Sequence, residues 1–316
     1  MKIRIKTVGF LAFLLMLLVS CGPQKEKKNP YEYDLSQLKK TDPAALQYTE
    51  TKQIKIDLDK LYAVAVDMGN NIYVSGDNVL KIMQSSGQEL STIELEGPAR
   101  CINVTDGKIY LGITDHIEIY NTEGKRLNSW DRLDANAIIT SIAVTPVHVF
   151  AADAGNQVVL RYDTSGKLLG RIGKKDPARD IPGLIVPSPY LDVAIGYEGH
   201  LWVVNPGLHA LENYTADGTL RSSWQRAAMT IDGFCGCCNP THIAMLPDGS
   251  FVTSEKGLPR VKVVSQSGDL AAVVAGPEQF QEGTVGLDLA VDADNRILVL
   301  DPMAHAVRIF EKRSNR

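Results

Sequence analysis

The sequence predicts an all-β fold, a six-bladed β-propeller whose last blade is closed by a strand from near the N-terminus. Two observations predict it. Residues after about 46 show no helical periodicity of useful length, and one three-strand pattern occurs six times. The spacing between copies is about 40–50 residues, which is the length of one four-stranded propeller blade.

Each copy starts with a short apolar strand that has a small residue at its centre. These first strands are Val64-Ala65-Val66, Ile102-Asn103-Val104, Ile142-Ala143-Val144, Val193-Ala194-Ile195, Ile243-Ala244-Met245 and Leu289-Ala290-Val291. Second strands begin near residues 71, 108, 148, 200, 250 and 296. In five copies a third strand ends before a polar turn that contains Gly87, Gly124, Gly166, Gly218 or Gly268. Glycine suits the positive φ that such turns require, so a fourth strand is expected after each turn.

The sixth copy stops after its third strand, at residues 306–310. Residues 47–56 precede the first copy and alternate between polar and apolar side chains, as a strand does. We therefore predict that this segment supplies the outer strand of the last blade. That closure joins the two ends of the domain and leaves only short strand edges exposed.

The repeated pattern also resembles a known family. Val64-Ala65-Val66-Asp67, then Gly69-Asn70-Asn71-Ile72-Tyr73-Val74, and the turn glycine that ends the copy resemble NHL repeats. The resemblance covers about residues 47–312 and implies the six-bladed propeller. It does not imply one activity, because propellers carry many unrelated functions.

The N-terminus resembles that of a bacterial lipoprotein. Lys2, Arg4 and Lys6 precede an uncharged apolar run over residues 8–19, which is too short to span a bilayer comfortably. Leu18-Val19-Ser20-Cys21 then resembles a lipobox, and the resemblance implies acyl chains on Cys21 that bind the membrane stably. A plain secretory signal is the alternative interpretation.

The predicted organisation follows from this N-terminus. Residues 1–20 are a lipoprotein signal peptide, residues 21–45 a flexible polar tether, and residues 46–316 the propeller. The expected location is the cell envelope outside the cytoplasm, at the periplasmic face or in the outer membrane, where disulfides are permitted. The formal net charge is −4 and no long basic block is present, which argues against nucleic acid as a partner.

The most unusual stretch is Phe234-Cys235-Gly236-Cys237-Cys238-Asn239-Pro240-Thr241-His242, which holds three of the five cysteines. It lies in the predicted crossover into the fifth blade. Crossovers and the turns between second and third strands share one face of a propeller, which we call the top face. The turns that carry His209, Glu255 and His305 are expected at the channel mouth on this face.

A further alignment places side chains inside the channel. The residues just before the first-strand triplets are Ala63, Cys101, Ser141, Asp192, His242 and Asp288. We expect them to form a ring beneath the cysteine stretch, and four of the six could ligate a metal. The alternative is that they satisfy strand ends and channel water.

Four interpretations of the cysteine stretch remain open. Cys235 and Cys238 could form a structural disulfide, although adjacent cysteines pair only with strain. Cys235, Cys237, Cys238, His242 and Cys101 could bind a metal, where copper or zinc fits thiolates and calcium fits them less well. The thiols could instead exchange with a partner. Finally, some NHL-type propellers are zinc lyases and related propellers are calcium-dependent lactonases, so the resemblance implies hydrolase or lyase chemistry as an option.

The sequence favours an envelope-anchored, non-catalytic module that binds a partner, either a protein or a small molecule, or a metal through the cysteine stretch. The alternative is a metal-dependent hydrolase or lyase, lactonase-like or NHL zinc-lyase-like, that uses channel histidines and aspartates. No Gly-x-Ser-x-Gly elbow, P-loop or Rossmann fingerprint is present to favour another chemistry.

Overall fold

A computed structural model describes residues 36–313 of the chain. These residues form six four-stranded antiparallel sheets with almost no helix, which confirms the predicted six-bladed β-propeller. The predicted signal peptide, Cys21 and the first part of the predicted tether lie outside the described residues. Among residues 36–313 there is no helix long and apolar enough to cross a membrane.

The first three blades each use four consecutive strands. They are β2 (Leu61–Val66), β3 (Ile72–Gly76), β4 (Val79–Met83) and β5 (Glu89–Glu94) in blade one; β6 (Ala99–Thr105), β7 (Lys108–Ile113), β8 (His116–Asn121) and β9 (Arg126–Ser129) in blade two; and β10 (Ile139–Val144), β11 (His148–Asp153), β12 (Val158–Asp163) and β13 (Leu168–Ile172) in blade three.

Blades four and five repeat this order, and blade six takes its outer strand from the start of the domain. The strands are β14 (Val193–Ile195), β15 (Leu201–Asn205), β16 (Ala210–Tyr214) and β17 (Leu220–Gln225); β18 (His242–Met245), β19 (Phe251–Glu255), β20 (Arg260–Val264) and β21 (Leu270–Ala275); and β22 (Asp288–Val291), β23 (Ile297–Asp301), β24 (Ala306–Lys312) and β1 (Tyr48–Lys55). Short 3-10 helices occupy Pro177–Arg179, Pro206–Leu208 and Pro277–Gln279.

The first strands of neighbouring blades contact one another around a central channel, from β2 through β6, β10, β14 and β18 to β22 and back to β2. Second strands are covered by the adjacent blades on both faces, and β3, β15, β19 and β23 are buried at every residue. The outer strand β9 is exposed at every residue. The apolar core therefore lies between blades, and the polar channel lies at their inner edges.

The turn glycines have the predicted conformation. Gly166 has φ +96° and Gly268 has φ +85°, a region that favours glycine. A Cβ atom on either residue would approach an indole ring too closely, at 2.6 Å from Trp130 and 2.5 Å from Trp224 respectively. These turns thus need glycine both for backbone conformation and for the packing of the next blade.

The predicted closure of the ring is confirmed. Strand β1 pairs with β24 from Tyr48↔Lys312 to Lys55↔Ala306. Arg308 of β24 forms ion pairs with Glu50 of β1 at 2.6 Å and with Asp301 at 3.2 Å. Ionic contacts and a full strand ladder therefore join the two ends of the domain.

The segment before β1 also contacts the propeller. The Val273 amide donates to the Ala45 carbonyl at 2.9 Å, and the Gln47 amide donates to the Val273 carbonyl at 3.1 Å. The Thr41 hydroxyl donates to Glu278 at 3.1 Å. The last residues of the predicted tether thus lie along the outer strand of blade five and the crossover that follows it.

Candidate functional site

The predicted ring residues occupy equivalent register positions. Ala63, Cys101, Ser141, His242 and Asp288 each pair with the penultimate residue of their second strand. Asp192 immediately precedes β14, and its carbonyl accepts a hydrogen bond from Val204, the fourth residue of β15. The alignment of repeats therefore identified one level of the inner strands correctly.

Ring residues reach across to the next blade. The Cys101 thiol faces the carbonyl of Ile139 at 3.9 Å. The Ser141 hydroxyl contacts both backbone groups of Val193, accepting from the amide at 3.3 Å and donating to the carbonyl at 3.4 Å. These contacts satisfy polar backbone groups at the start of the neighbouring first strand.

The two aspartates make the strongest links of this kind. The amide of Ile243 in blade five donates to Asp192 Oδ2 at 2.7 Å. The amide of Val64 in blade one donates to Asp288 Oδ2 at 2.8 Å. Hydrogen bonds from backbone amides compensate for burying a carboxylate, so each aspartate also fixes the spacing between two blades.

His242 lies between the two aspartates. Its Nδ1 atom is 3.3 Å from Asp288 Oδ1 and 3.6 Å from Asp192 Oδ2. The three side chains are only 12%, 16% and 8% exposed in the order His242, Asp288 and Asp192. Within residues 36–313, Nε2 of His242 makes no hydrogen bond or ion pair, so the carboxylates hold one ring nitrogen and leave the other available.

Charge couples these side chains. Burial alone would lower the pKa of His242, but the hydrogen bond to Asp192 and the charges of Asp288 and Asp192 outweigh it, and the pKa is raised above the ordinary 6.5. Burial is also the largest effect on Asp288 and raises its pKa to about 6, although His242 opposes the shift. Protonation of His242 therefore stabilises the fold below pH 6.5, and this contribution is lost as the pH rises through the raised pKa.

A cavity of about 250 Å³ opens above His242. Its polar lining comprises Tyr62, Arg100, Thr140 and Tyr190, and its apolar lining includes Leu61, Val285 and Pro302. A second cavity of about 180 Å³ lies in the channel and is lined by Cys101, Ser141, Asp192 and Asp288. His242 thus faces the first cavity, the upper cavity, whereas Asp192 and Asp288, which hold its ring, line the second, the lower cavity.

The sequence analysis did not predict three residues that line the upper cavity. Tyr62, Arg100 and Thr140 each stand one position before a ring residue, so the same alignment read one residue earlier would have found them. Arg100 is exposed and forms no ion pair within the described part of the chain. It is therefore a cation available to a ligand at the rim of the cavity.

Tyr190 was also missed, because it lies in the long crossover before β14 and belongs to no repeat. Its ring meets His242 edge-on, with 5.7 Å between centroids. Lys256 Nζ lies 5.1 Å from the centre of the Tyr190 ring and donates to Ser188 at 2.8 Å. Tyr190 thus packs against the imidazole from the cavity side.

The cysteine stretch lies beside this cavity, at the end of blade five where His242 begins β18. The Cys235 amide donates to Glu255 at 3.2 Å, and the Cys235 carbonyl accepts from the Asn239 side chain at 2.6 Å. Cys235 and Cys238 are buried whereas Cys237 is exposed. All described cysteines are free thiols, so the disulfide interpretation is not realised in this structure.

The residues predicted at the channel mouth are separated. His209 Nδ1 lies 3.0 Å from the Asn239 carbonyl and so contacts the cysteine stretch. His305 is exposed and contacts the Leu58 carbonyl at 2.9 Å, between blades six and one. Glu255 is only 1% exposed and lies inside blade five.

Glu255 faces the interior because two buried cations require it. It forms ion pairs with Arg260 at 2.5 Å and with Lys262 at 2.9 Å. Both cations also donate to backbone carbonyls of the loop that carries the cysteines, including that of Gly233. Glu255 therefore supports the loop and does not line the channel.

The described residues contain no group of three or more His, Cys, Asp or Glu side chains that could hold a metal ion. Cys101 packs in the channel against Ile139, Cys235 lies over Glu255, and the aspartate oxygens accept backbone hydrogen bonds. In the described residues these donors are therefore not gathered into one group, and we derive no chemical step through a metal. The metal assignment stays a prediction.

No protein-family model matches the chain, and no curated protein matches it. Solved structures do match. A streptogramin B lyase structure gives a TM-score of 0.61 at 9% identity, covering 86% of this chain and 100% of that chain. A protein of unknown function from Bacteroides thetaiotaomicron gives 0.59 at 12% identity, covering 84% and 72% respectively.

A third match is virginiamycin B lyase from Staphylococcus aureus, solved with quinupristin in a catalytically inactive form in which a histidine is replaced by alanine. Its TM-score is 0.60 at 11% identity, covering 84% of this chain and 100% of that chain. At these identities the similarity shows the fold alone, a β-propeller whose structural neighbours include lyases.

Replacing Asp288 with Asn should lower the pKa of His242, because the Asp288 charge stabilises the protonated imidazole. The imidazole pKa can be followed by ¹⁵N NMR titration of the histidine side chains. Asp248→Asn, at an exposed turn, is the matched control and should leave the His242 titration unchanged. Equal His242 pKa values in the two variants would contradict the described electrostatic coupling.

Proposed function

We propose that this propeller is a lyase or hydrolase in which His242 exchanges a proton with a substrate bound in the upper cavity. One observation carries the proposal. Two buried carboxylates hold Nδ1 of His242, while Nε2 has no partner among the described residues and the ring lines a cavity of about 250 Å³. A positioned imidazole of this kind is the commonest general acid or base in enzymes.

The aspartates set the properties of the imidazole. A proton on Nδ1 is attracted to Asp288 and Asp192, which leaves the lone pair of Nε2 directed away from them. The same charges raise the pKa of His242 and so make Nε2 a stronger base. When Nε2 takes a proton from the substrate, the two carboxylates stabilise the imidazolium that forms.

The cavity lining suggests how a substrate binds. Arg100 can pair with an anionic group, and the hydroxyl groups of Tyr62 and Thr140 can form hydrogen bonds. Leu61, Val285 and Pro302 offer apolar contact on the remaining wall. Such a site fits an ester, a lactone or a β-eliminating acid with an apolar part.

The comparisons support the lyase form of the proposal at the level of the fold. Two of the similar structures are named as a streptogramin B lyase and a virginiamycin B lyase, and the second is described as catalytically inactive with a histidine replaced by alanine. Among the described residues, His242 is the histidine that lines this cavity.

Replacing His242 with Gln should reduce turnover of a responsive lactone, ester or elimination substrate by about 10²–10⁴-fold. The loss follows because glutamine cannot exchange a proton at neutral pH. The measurement is the steady-state rate over a substrate panel first screened with the unchanged protein. The matched control is His305→Gln, at an exposed histidine in a turn away from the cavity. Full activity in His242→Gln would refute the proposed role.

A second candidate is the predicted partner- or metal-binding module. Exposed Cys237 favours it, since this thiol lies on the top face beside two buried cysteines. In this function, protein purified without oxygen should contain stoichiometric copper or zinc that is lost in a Cys237→Ser/Cys238→Ser variant. Elemental analysis measures this, and equally metal-free samples would leave only the partner-binding form.

We also propose that the protein is anchored in the cell envelope through lipid on Cys21, as its lipobox-like sequence supports. Cys21→Ser should move the protein from the membrane pellet to the soluble fraction and abolish labelling by radioactive fatty acid. Cys237→Ser is the control and should stay in the pellet. Lipidation would be contradicted if the protein without substitutions were found in the soluble fraction and carried no fatty-acid label.

A further inference from the structure

The loop that carries the cysteines is fixed on blade five. Phe234 bridges back to Ala227, and its amide donates to the Arg226 carbonyl at 2.7 Å. From below, Arg260 donates to the Met229 and Thr230 carbonyls at 3.3 and 3.2 Å. Backbone pairing and buried side chains therefore hold this loop in one position.

Lys262 adds a second support under the same loop. Its ammonium group donates to the carbonyls of Ile231 and Gly233 at 3.0 and 2.6 Å, and it lies 4.5 Å from the centre of the Phe234 ring. The side chain is fully buried. A rigid loop presents its thiols in a defined arrangement, which a reactive site needs.

The three thiols of the loop have different surroundings. Cys235 is buried beside Glu255. Cys238 is also buried, and its thiol interacts with Ser188 and with the neighbouring Cys237. Cys237 is the exposed thiol of the loop. The contacting pair is therefore Cys237 and Cys238, with one member open to solvent and the other held behind it.

The backbone at this pair is unusual. Cys238 has φ +78°, a conformation that is disfavoured for residues other than glycine and is concentrated at functional sites. The Asn239 side chain holds it there by donating to the carbonyls of Cys235 and Lys256 at 2.6 and 3.0 Å. The fold thus maintains a strained backbone to present adjacent thiols.

We propose that Cys237 and Cys238 form a thiol–disulfide exchange site for a disulfide-bearing partner. This site is separate from the acid–base chemistry proposed for His242. An accessible thiol with a second thiol directly behind it is the arrangement that attack and resolution require.

The exchange has two balanced steps. The Cys237 thiolate attacks one sulfur of the partner disulfide, a mixed disulfide forms, and the other partner sulfur leaves and takes up the proton. The Cys238 thiolate then attacks the Cys237 sulfur, which releases the second partner thiol with its proton. The protein dithiol loses two electrons, and the partner disulfide gains them as two thiols.

A disulfide between adjacent residues is strained and therefore easily reduced. Such a bond is unsuited to structural cross-linking, and an excess of partner disulfide is needed to drive its formation. Cys101 does not take part, because it is buried in the channel with its thiol toward Ile139.

The test uses the full chain, reduced and freed of reductant without oxygen, and mixed with a large excess of oxidised glutathione. The three thiols lie in one tryptic peptide, residues 227–256, which is analysed by mass spectrometry. The unchanged protein should release two glutathione thiols and retain none. Cys238→Ser should retain one glutathione on Cys237, Cys237→Ser should react at least tenfold more slowly, and Cys235→Ser should behave as the unchanged protein.

Two results of the glutathione reaction would overturn the proposal. One is an unchanged reaction rate in Cys237→Ser, and the other is release of both glutathione thiols without an adduct in Cys238→Ser. Stoichiometric copper or zinc bound to the reduced thiols, and blocking the reaction, would also overturn it. Circular dichroism of each variant checks that it folds. Turnover of the substrate panel, which tests the role of His242, is measured separately.

Discussion

Two buried carboxylates link the architecture of this propeller to its candidate site. Asp192 and Asp288 lie where the inner strands of neighbouring blades meet, and each accepts a backbone amide from the next blade. A carboxylate buried at this level is costly unless such donors and a positive partner are present. His242 is that partner, so the spacing of blades and the electrostatics of the channel depend on the same contacts.

This arrangement explains why the two ring nitrogens of His242 have different surroundings. Asp192 and Asp288 line the lower cavity and attract Nδ1, whereas Tyr190 and the upper cavity surround the rest of the ring. Burial alone would make His242 less basic, and the charges reverse that effect. Catalytic groups are commonly tuned by this combination of burial and a specific charged partner.

The thiols and the imidazole are built on the same blade from different physical elements. Backbone-bound carboxylates at the inner strands position His242. A buried ion cluster between the second and third strands of blade five, formed by Glu255, Arg260 and Lys262, supports the cysteine loop. The two proposed chemistries therefore rest on one blade but on different supporting contacts.

The repeats and turn residues in the sequence were sufficient to predict six blades, the closing strand β1 and the level of His242 in the channel. These features are local or periodic, and a period of blade length leaves few alternative folds. The sequence could not show that Glu255 turns inward, because that depends on Arg260 and Lys262 being buried beneath the loop. Nor could it show which thiol of the loop is exposed, since side-chain direction is decided by packing between blades, which has no counterpart in sequence spacing.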